Sequence, residues 1–147
     1  MHDKAAPALL IPMVPDIGGL EIARLQARQF LTNNGIDEHT LTAVELVLEE
    51  SVTNVLRYGY PPGSSGHSIE IDLQVDPDEV QVLVIDDGRP FDPLDEGAIV
   101  LPDTLDEAQV GGLGLLMIRN TASRLSYERI EGRNRFLMTI PRHAAAA

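Results

Sequence analysis

Two apolar runs joined by a short polar turn constrain this chain more than any other feature. In the first run, SIEIDLQV, apolar and polar residues alternate, so that Ile69, Ile71, Leu73 and Val75 fall on one face. Alternation with a period of two is the pattern of a half-buried β-strand. Turn residues at 77–79 and a more fully apolar run, VQVLVID, follow directly. The stretch therefore predicts a β-hairpin, and the fold must contain this antiparallel pair.

Apolar periodicity and capping residues predict the other elements. They are a strand over Ala8 to Val14, a helix from the cap Asp16 to about Asn33, a longer helix from the cap Asp37 to near Gly59, a third helix from the glycines at 111 to near Ser123, and the closing strands RLSYERI and NRFLMTI. Pro12 makes the first strand an edge candidate, because proline cannot donate to a neighbouring strand. An apolar stripe should turn the second helix toward the core: Leu41, Val44, Leu48, Val52 and Val55.

The predicted element order is β-α-α-β-β-loop-α-β-β. Strands joined by tight turns favour a mixed, mostly antiparallel sheet, and three amphipathic helices on one face would complete a two-layer α+β sandwich. The chain of 147 residues suits a single domain, which we place at 1–143, with a disordered alanine-rich tail at 144–147. The segment from about Phe91 to Val110 is polar and too long for a plain connection, so it predicts a functional loop or lid.

Charge and composition exclude several classes of function. The formal net charge of −12 argues against a general nucleic-acid surface, because phosphate backbones are bound by Lys and Arg. A single bound nucleotide needs only local donors. The chain has no cysteine, which excludes disulfides and thiolate metal sites, and its four histidines lack metal-ligand spacing. No segment is long and apolar enough to span a bilayer, so we expect a cytoplasmic protein that makes no membrane contact.

The second helix carries three polar side chains at helical spacing. Glu50, Asn54 and Arg57 lie at i, i+4 and i+7, and a helical wheel places them opposite the apolar stripe. A carboxamide oxygen suits Mg²⁺, a carboxylate one turn away can accept a proton, and a guanidinium one turn further can bind phosphate. The plainer alternative is a solvated helix face with an ion pair. Leu46 and Val47 beside this face favour a lined cleft instead.

Two further stretches can each form part of a nucleotide site. Asp86 ends an apolar strand, where its carboxylate can accept a hydrogen bond from an exocyclic amine, and Gly88 leaves room for a flat ring. Gly112 and Gly114 open an apolar helix, where backbone N–H groups and the helix dipole favour an anion. Taken singly, the first is also explained by an ordinary Asp-Gly-Pro turn and the second by a flexible hinge.

Together the three stretches form one ordered pattern. It consists of E-x-x-x-N-x-x-R on a helix, D-x-G-x-P-F-D-P after a strand, and G-G-L-G-L at a helix start. This pattern resembles the GHKL ATP-binding superfamily, and most of all its anti-sigma-factor serine kinases, the bacterial partner-switching kinases. The resemblance covers nearly the whole chain, from the first strand to Arg142, and includes the closing hairpin YERIEGRNRFLMTIP. It implies the GHKL (Bergerat-type) two-layer α/β sandwich.

The resemblance also implies a role for each matching residue. Glu50 would be the general base that activates a partner's serine, and Asn54 would hold Mg²⁺. Asp86 would bind the adenine amine of ATP, with Gly88 beside the ring. The triphosphate would be met by a basic side chain and by backbone groups: Arg57, Gly112, Leu113 and Gly114.

The chain departs from that family in two places. No Lys or Arg lies between Arg89 and Arg119, and the predicted lid is acidic, which makes it a poor clamp for a γ-phosphate. Arg57, Arg119 and Mg²⁺ would then have to neutralise the phosphates. Many superfamily members also place a threonine in the closing strand near the nucleotide, and here that role would fall to Asn134.

The function implied by the resemblance is an ATP- and Mg²⁺-dependent serine/threonine protein kinase. It would bind a sigma factor or similar partner and phosphorylate a STAS-type anti-anti-sigma antagonist. The acidic lid favours the alternative, a non-catalytic ATP-binding module whose lid state sets partner affinity. The catalytic half of a histidine kinase would need a phosphoacceptor His on a dimerising helix, and a stand-alone ATPase would need Glu50 to activate water. The resemblance further suggests a homodimer through the first strand and helix, where Leu9, Ile11 and Met13 permit either a dimer surface or a core.

Overall fold

The computed structural model describes residues 5–95 and 112–143. Its elements appear in the predicted order, with one π-helical turn, Val55–Gly59, added at the end of the second helix. They are β1 Ala8–Met13, α1 Ile17–Asn33, α2 Glu38–Asn54, β2 Ile69–Val75, β3 Glu79–Asp86, α3 Gly112–Thr121, β4 Arg124–Ile130 and β5 Arg133–Pro141. The predicted tail and most of the predicted lid lie outside the described residues.

Both predicted helix caps are confirmed. The Asp16 carboxylate accepts a hydrogen bond from the Gly19 N–H at 2.6 Å and begins α1. At α2, Asp37 accepts from the backbone N–H of Thr40 at 3.2 Å and from its hydroxyl at 2.6 Å. These bonds hold the pKa of the Asp37 carboxyl below its usual range. Each cap satisfies helix-start donors that have no intrahelical partner, and so fixes where the helix begins.

The five strands form one sheet in the order β1-β2-β3-β5-β4. All four pairings between described strands are antiparallel. The predicted hairpin is confirmed as β2 and β3, and β1 lies at one edge, as Pro12 indicated. At the other end, β4 and β5 are joined by Glu131 and Gly132, both with positive φ, which is the geometry of a two-residue hairpin turn. That turn sets the register between β4 and β5, and β5 pairs with β3 on its other side.

The core lies between the helices and one face of the sheet. Alternate residues of β2 are buried, as the alternating pattern predicted. The α2 stripe is buried with them, and Leu41, Val44, Leu48 and Val52 are at most 1% exposed. This arrangement confirms the two-layer α+β sandwich. Of the apolar series in β1, Ile11 and Met13 belong to the core and Leu9 packs against it.

A second side of α2 is covered by α3, which the apolar stripe did not predict. Val47 is fully buried, and α2 contacts both α1 and α3. Ser51 and Asn54, further along α2, are also buried. The last turn of α2 therefore presents polar side chains to the interior, next to the end of β3.

Candidate functional site

The π-helical turn at the end of α2 brings the helix against the end of β3. The N–H of Arg89 donates to the carbonyl of Gly59 at 2.9 Å. A Cβ at Gly88 would lie only 2.7 Å from that carbonyl oxygen and 3.0 Å from the Gly59 Cα. Only glycine fits at position 88 without displacing the backbone of the turn. Single π-turns of this kind are common at functional sites, and this one joins two of the predicted motifs.

Asp86 is held in a buried position at the end of β3. It is 6% exposed and lies directly opposite Asn134 of β5. Its Oδ1 accepts hydrogen bonds from the Gly88 N–H at 2.8 Å and from the Asn134 amide at 3.0 Å. Burial raises the pKa of the Asp86 carboxyl, and these two hydrogen bonds oppose the rise. Both bonds end on Oδ1, and among the described residues no hydrogen bond ends on Oδ2, which leaves it for a further donor.

Asn134 is the centre of a polar network that fixes Asp86. Besides Asp86, its amide donates to the Arg89 carbonyl at 2.8 Å. Its Oδ1 accepts from the Tyr127 hydroxyl and, at 3.0 Å, from Arg129. The Arg129 guanidinium also donates to the Gly88 carbonyl at 3.1 Å. Because these bonds engage every polar atom of the Asn134 side chain, Asn134 orients Asp86 at the pocket that both residues line.

Asn54, unlike Asn134, has a side-chain polar atom without a hydrogen-bond partner among the described residues. It is 7% exposed, yet its amide nitrogen has no hydrogen-bond partner, and it is the only buried side-chain atom of this kind among the described residues. An unpaired buried polar group costs about 1–3 kcal/mol, so such a group is expected where a ligand completes it. The two orientations of a carboxamide have the same shape. Asn54 therefore can offer either a donor or an oxygen ligand.

A pocket lies between the end of α2, the end of β3, the start of α3 and the closing hairpin. Asn54, Asp86 and Asn134 all line it. Its enclosed cavity is about 40 Å³. Phe91 and Pro93 of the predicted lid also line it, and the remaining lining residues were not predicted as site residues: Ser51, Val55, Gly59, Arg89, Leu115, Tyr127 and Phe136. Apolar walls around a few buried polar groups are typical of small-molecule sites.

Glu50 lies against Gly114, so that the helix carrying the first motif meets the glycine-rich start of α3. An ideal Cβ on Gly114 would overlap Oε2 of Glu50 and lie 3.3 Å from its Cδ. The pKa of the Glu50 carboxyl is raised, first by burial and then by the negative charge of Glu49, while the positive charge of Arg57 opposes the rise. A carboxylate with a raised pKa is better suited to accept a proton near neutral pH.

Arg57 does not line the pocket with Asn54. It is exposed and lies in the π-helical turn, where the 100° spacing of an α-helical wheel no longer holds. It lines a separate cleft together with Tyr60 and His67. Arg57 is nevertheless close enough to Glu50 for its charge to lower the pKa of that carboxyl.

The start of α3 has backbone N–H groups that can bind a ligand. Gly112 is the first residue of α3, and the Leu113 side chain is 43% exposed. The first N–H groups of a helix have no intrahelical acceptor, so they can bind an anion. Arg119, further along α3, donates to the carbonyl of Pro93 at 3.3 Å. That bond ties α3 to the first described residues of the predicted lid.

The described residues hold no ready-made metal site and no membrane span. They contain no group of three or more His, Cys, Asp or Glu side chains that could hold a metal ion. Any Mg²⁺ bound near Asn54 would therefore need phosphate and water oxygens as its other ligands, which is how proteins commonly bind this ion. Within the same residues, no helix is long and apolar enough to cross a membrane.

Proteins of known function resemble this chain over much of its length. Serine/threonine-protein kinase BtrW of Bordetella bronchiseptica is 32% identical over 94 residues, which are 64% of this chain and 66% of that protein. An anti-sigma F factor of Oceanobacillus iheyensis is 28% identical over 98 residues, 67% of this chain and 66% of the relative. The chain thus spans just under two thirds of the length of these two relatives. Their kinase and anti-sigma names agree with the family that the three motifs resembled.

The fold has a counterpart among solved structures. A chain in the crystal structure of the SiaB-SiaC complex from Pseudomonas aeruginosa matches with a TM-score of 0.64 at 19% identity, over 90% of this chain and 88% of that one. At this identity the likeness concerns the fold alone. The family profile described as "Histidine kinase-like ATPase domain" matches residues 14–140, which include every described element except β1 and the last residue of β5. The chain belongs to the histidine kinase-like ATPase domain family.

Proposed function

We propose that this protein is an ATP-binding anti-sigma regulatory serine/threonine protein kinase. It would bind a sigma factor or similar partner and phosphorylate a STAS-type anti-anti-sigma antagonist. Membership of the histidine kinase-like ATPase family and the kinase and anti-sigma relatives support this function. One observation carries the proposal at the level of the site: the unpaired amide of buried Asn54 and the buried carboxylate of Asp86 face one pocket.

Adenine would be recognised by Asp86. Its Oδ2 would accept a hydrogen bond from the exocyclic amine, while Gly88 and Asn134 keep Oδ1 occupied. An acceptor in this position favours adenine over a base that carries a carbonyl there. Val55, Leu115 and other apolar side chains of the pocket would contact the faces of the ring.

The phosphates would lie between the end of α2 and the start of α3. Mg²⁺, when bound, would neutralise phosphate charge, and Asn54 would supply its protein oxygen ligand. Arg57 would approach the phosphates from the solvent side. Backbone N–H groups of Gly112, Leu113 and Gly114 would donate to phosphate oxygens.

Glu50 would act as the general base. Its carboxylate would accept the hydroxyl proton of the partner's serine as that oxygen bonds to the γ-phosphorus and the bond to the ADP oxygen breaks. Burial against α3 raises the pKa of this carboxyl, which strengthens it as a base. The base form is lost when the pH falls through that raised pKa.

The test is phosphoryl transfer from Mg²⁺–ATP to a purified STAS-domain protein from the same organism, with the phosphoserine identified by mass spectrometry. Glu50→Gln should reduce transfer by about 10²-fold or more and leave ATP affinity within a few-fold of wild type. Glu49→Gln is the matched control, because Glu49 is the exposed neighbour on the same helix. Undiminished transfer by Glu50→Gln, or equal losses in both variants, would show that Glu50 is not the base.

A non-catalytic ATP-binding module is the second candidate. Asp92 and Asp95, the described acidic residues at the start of the predicted lid, are both exposed, and an acidic lid is poorly suited to clamp a γ-phosphate. This candidate predicts nucleotide-dependent partner binding without any phosphoprotein. Tight ATP binding with no transfer to any of the organism's STAS proteins would favour it over the kinase.

We also propose that the protein works in the cytoplasm as a homodimer through β1 and α1. β1 is an edge strand, and large apolar side chains of this region are exposed: Leu10, Val14, Ile17, Ile22 and Leu25. Exposed apolar side chains on and beside an edge strand favour association with another chain. Sedimentation equilibrium should give a dimer, and Leu25→Glu should shift it to monomer. A monomeric wild-type protein at micromolar concentration would contradict this.

A further inference from the structure

Glycine at position 114 lowers the stability of α3, and phosphate binding does not explain why a glycine is there. It lies inside α3, where glycine is less favourable than alanine. A phosphate oxygen would be bound by the backbone N–H, which alanine also has. Glycine differs from alanine only in lacking a Cβ. The reason for a glycine here is therefore expected in the space that a Cβ would occupy.

The space beside Gly114 is filled by Glu50. The three heavy atoms nearest to an ideal Cβ at this position all belong to Glu50: Oε2, Cδ at 3.3 Å and Cβ at 3.8 Å. The overlap is with Oε2, the far end of a flexible side chain, and not with backbone. A methyl group at position 114 would therefore move the carboxylate of Glu50 and leave α2 and α3 in place.

Within the described residues, no hydrogen bond or ion pair holds the Glu50 carboxylate. The charges that act on it are those of Glu49 and Arg57 on its own helix and π-helical turn, and the α3 residue against it is the uncharged Gly114. The close approach of Oε2 to the space beside Gly114 is thus the contact with α3 that the described residues show for this carboxylate. Catalytic groups lose efficiency when they are displaced by about 1 Å.

We propose that Gly114 is a positioning residue for Glu50: its missing side chain seats the Glu50 carboxylate on the first turn of α3, in the place from which it accepts the serine proton. This inference rests on the proposed function, since it takes Glu50 as the base. It adds a role for the glycine that is separate from any backbone contact with phosphate.

The first test is Gly114→Ala. Phosphoryl transfer to the STAS protein should fall by about 10²-fold or more, as for loss of the base, while the Kd for Mg²⁺–ATP stays within about threefold, because the backbone N–H is kept. Gly18→Ala is the matched control: it is also a helical glycine, but its Cβ would meet its nearest neighbour, Asp16 Oδ1, at an ordinary 3.4 Å. Full activity of Gly114→Ala, or an equal loss in Gly18→Ala, would overturn the proposal.

A double-mutant cycle separates displacement of Glu50 from general damage to α3. Glu50→Asp withdraws the carboxylate by one methylene and removes the overlap. Gly114→Ala should therefore cost much less in the Glu50→Asp background than in wild type. Equal costs in both backgrounds would mean that the glycine acts through something other than Glu50.

The contact can also be tested without any enzyme assay. Carboxyl-detected NMR should show that Gly114→Ala moves the pKa of Glu50 down toward its ordinary value, because the displaced carboxylate enters solvent. An unchanged pKa would refute the contact. If wild type transfers no phosphate but the pKa shifts as expected, the kinase function fails and the contact stands. If wild type is active and Gly114→Ala matches it, the inference fails alone.

Discussion

Replacing Asp86 by asparagine should separate nucleotide recognition from stability. The substitution keeps the shape of the side chain. An amide oxygen can still accept the hydrogen bonds from Gly88 and Asn134 that now end on Oδ1. Oδ2, a charged acceptor, is replaced by an NH₂ group, which is a donor. Asp86→Asn therefore removes the proposed bond to the adenine amine and places two donors next to each other.

The expected magnitudes follow from this geometry. A hydrogen bond to a charged group contributes about 1.5–3 kcal/mol, which corresponds to an ATP Kd weaker by about 10- to 150-fold. The folding stability of the variant, unlike its ATP affinity, should not fall at neutral pH. Since burial raises the pKa of Asp86, the stability provided by its protonated form is present below the unfolded-state pKa and is lost as the pH rises through the folded-state pKa. At neutral pH the variant, which has no charge to bury, should be at least as stable as wild type.

The assay is ATP titration by calorimetry together with urea unfolding at about pH 7 and about pH 4. Asp87→Asn is the matched control, because Asp87 accepts from the Ser68 N–H at 3.1 Å and does not line the pocket. It should leave the ATP Kd unchanged. Wild-type ATP affinity in Asp86→Asn would refute the adenine assignment, and a clear loss of stability at neutral pH would refute the account of its buried charge.

Three further outcomes are expected. Asn54→Ala should abolish the strengthening of ATP binding by Mg²⁺ and leave the free energy of unfolding little changed, because the buried Nδ2 that it removes has no hydrogen-bond partner among the described residues; calorimetry with and without Mg²⁺ and urea unfolding check this. Gly88→Ala should destabilise the protein by about 1–3 kcal/mol, since its Cβ would crowd the Gly59 carbonyl, and thermal unfolding measures the loss. Phosphoryl transfer should decline on acidification at a higher pH than an ordinary glutamate would give, because the pKa of Glu50 is raised; an unshifted pH–rate profile would contradict that.

Local patterns predicted the elements well because their causes are local. Alternation of apolar and polar residues predicted the β2–β3 hairpin. The carboxylates of Asp16 and Asp37 predicted the helix starts, and the apolar stripe through Leu48 predicted the buried face of α2. Each of these depends on residues close together in the chain. The family was also predicted correctly, since its three motifs stand in order along the sequence.

Contacts between distant residues could not be predicted in the same way. Asn134 was expected near the nucleotide, but its place opposite Asp86 depends on the β3–β5 register. The contact between Glu50 and Gly114 depends on how α3 lies against α2. The three polar residues of α2 were expected on one face, yet the π-helical turn, which no sequence pattern marked, directs Arg57 to a separate cleft.

The central claim is that the pocket shared by Asp86 and Asn54 binds Mg²⁺–ATP, and titration of the wild-type protein with ATP tests it most directly. Calorimetry would be run with Mg²⁺ and with EDTA, and with GTP in place of ATP as the control. We expect saturable binding of ATP that Mg²⁺ strengthens and that GTP does not match. Absence of binding at millimolar ATP, or equal binding of GTP, would contradict it.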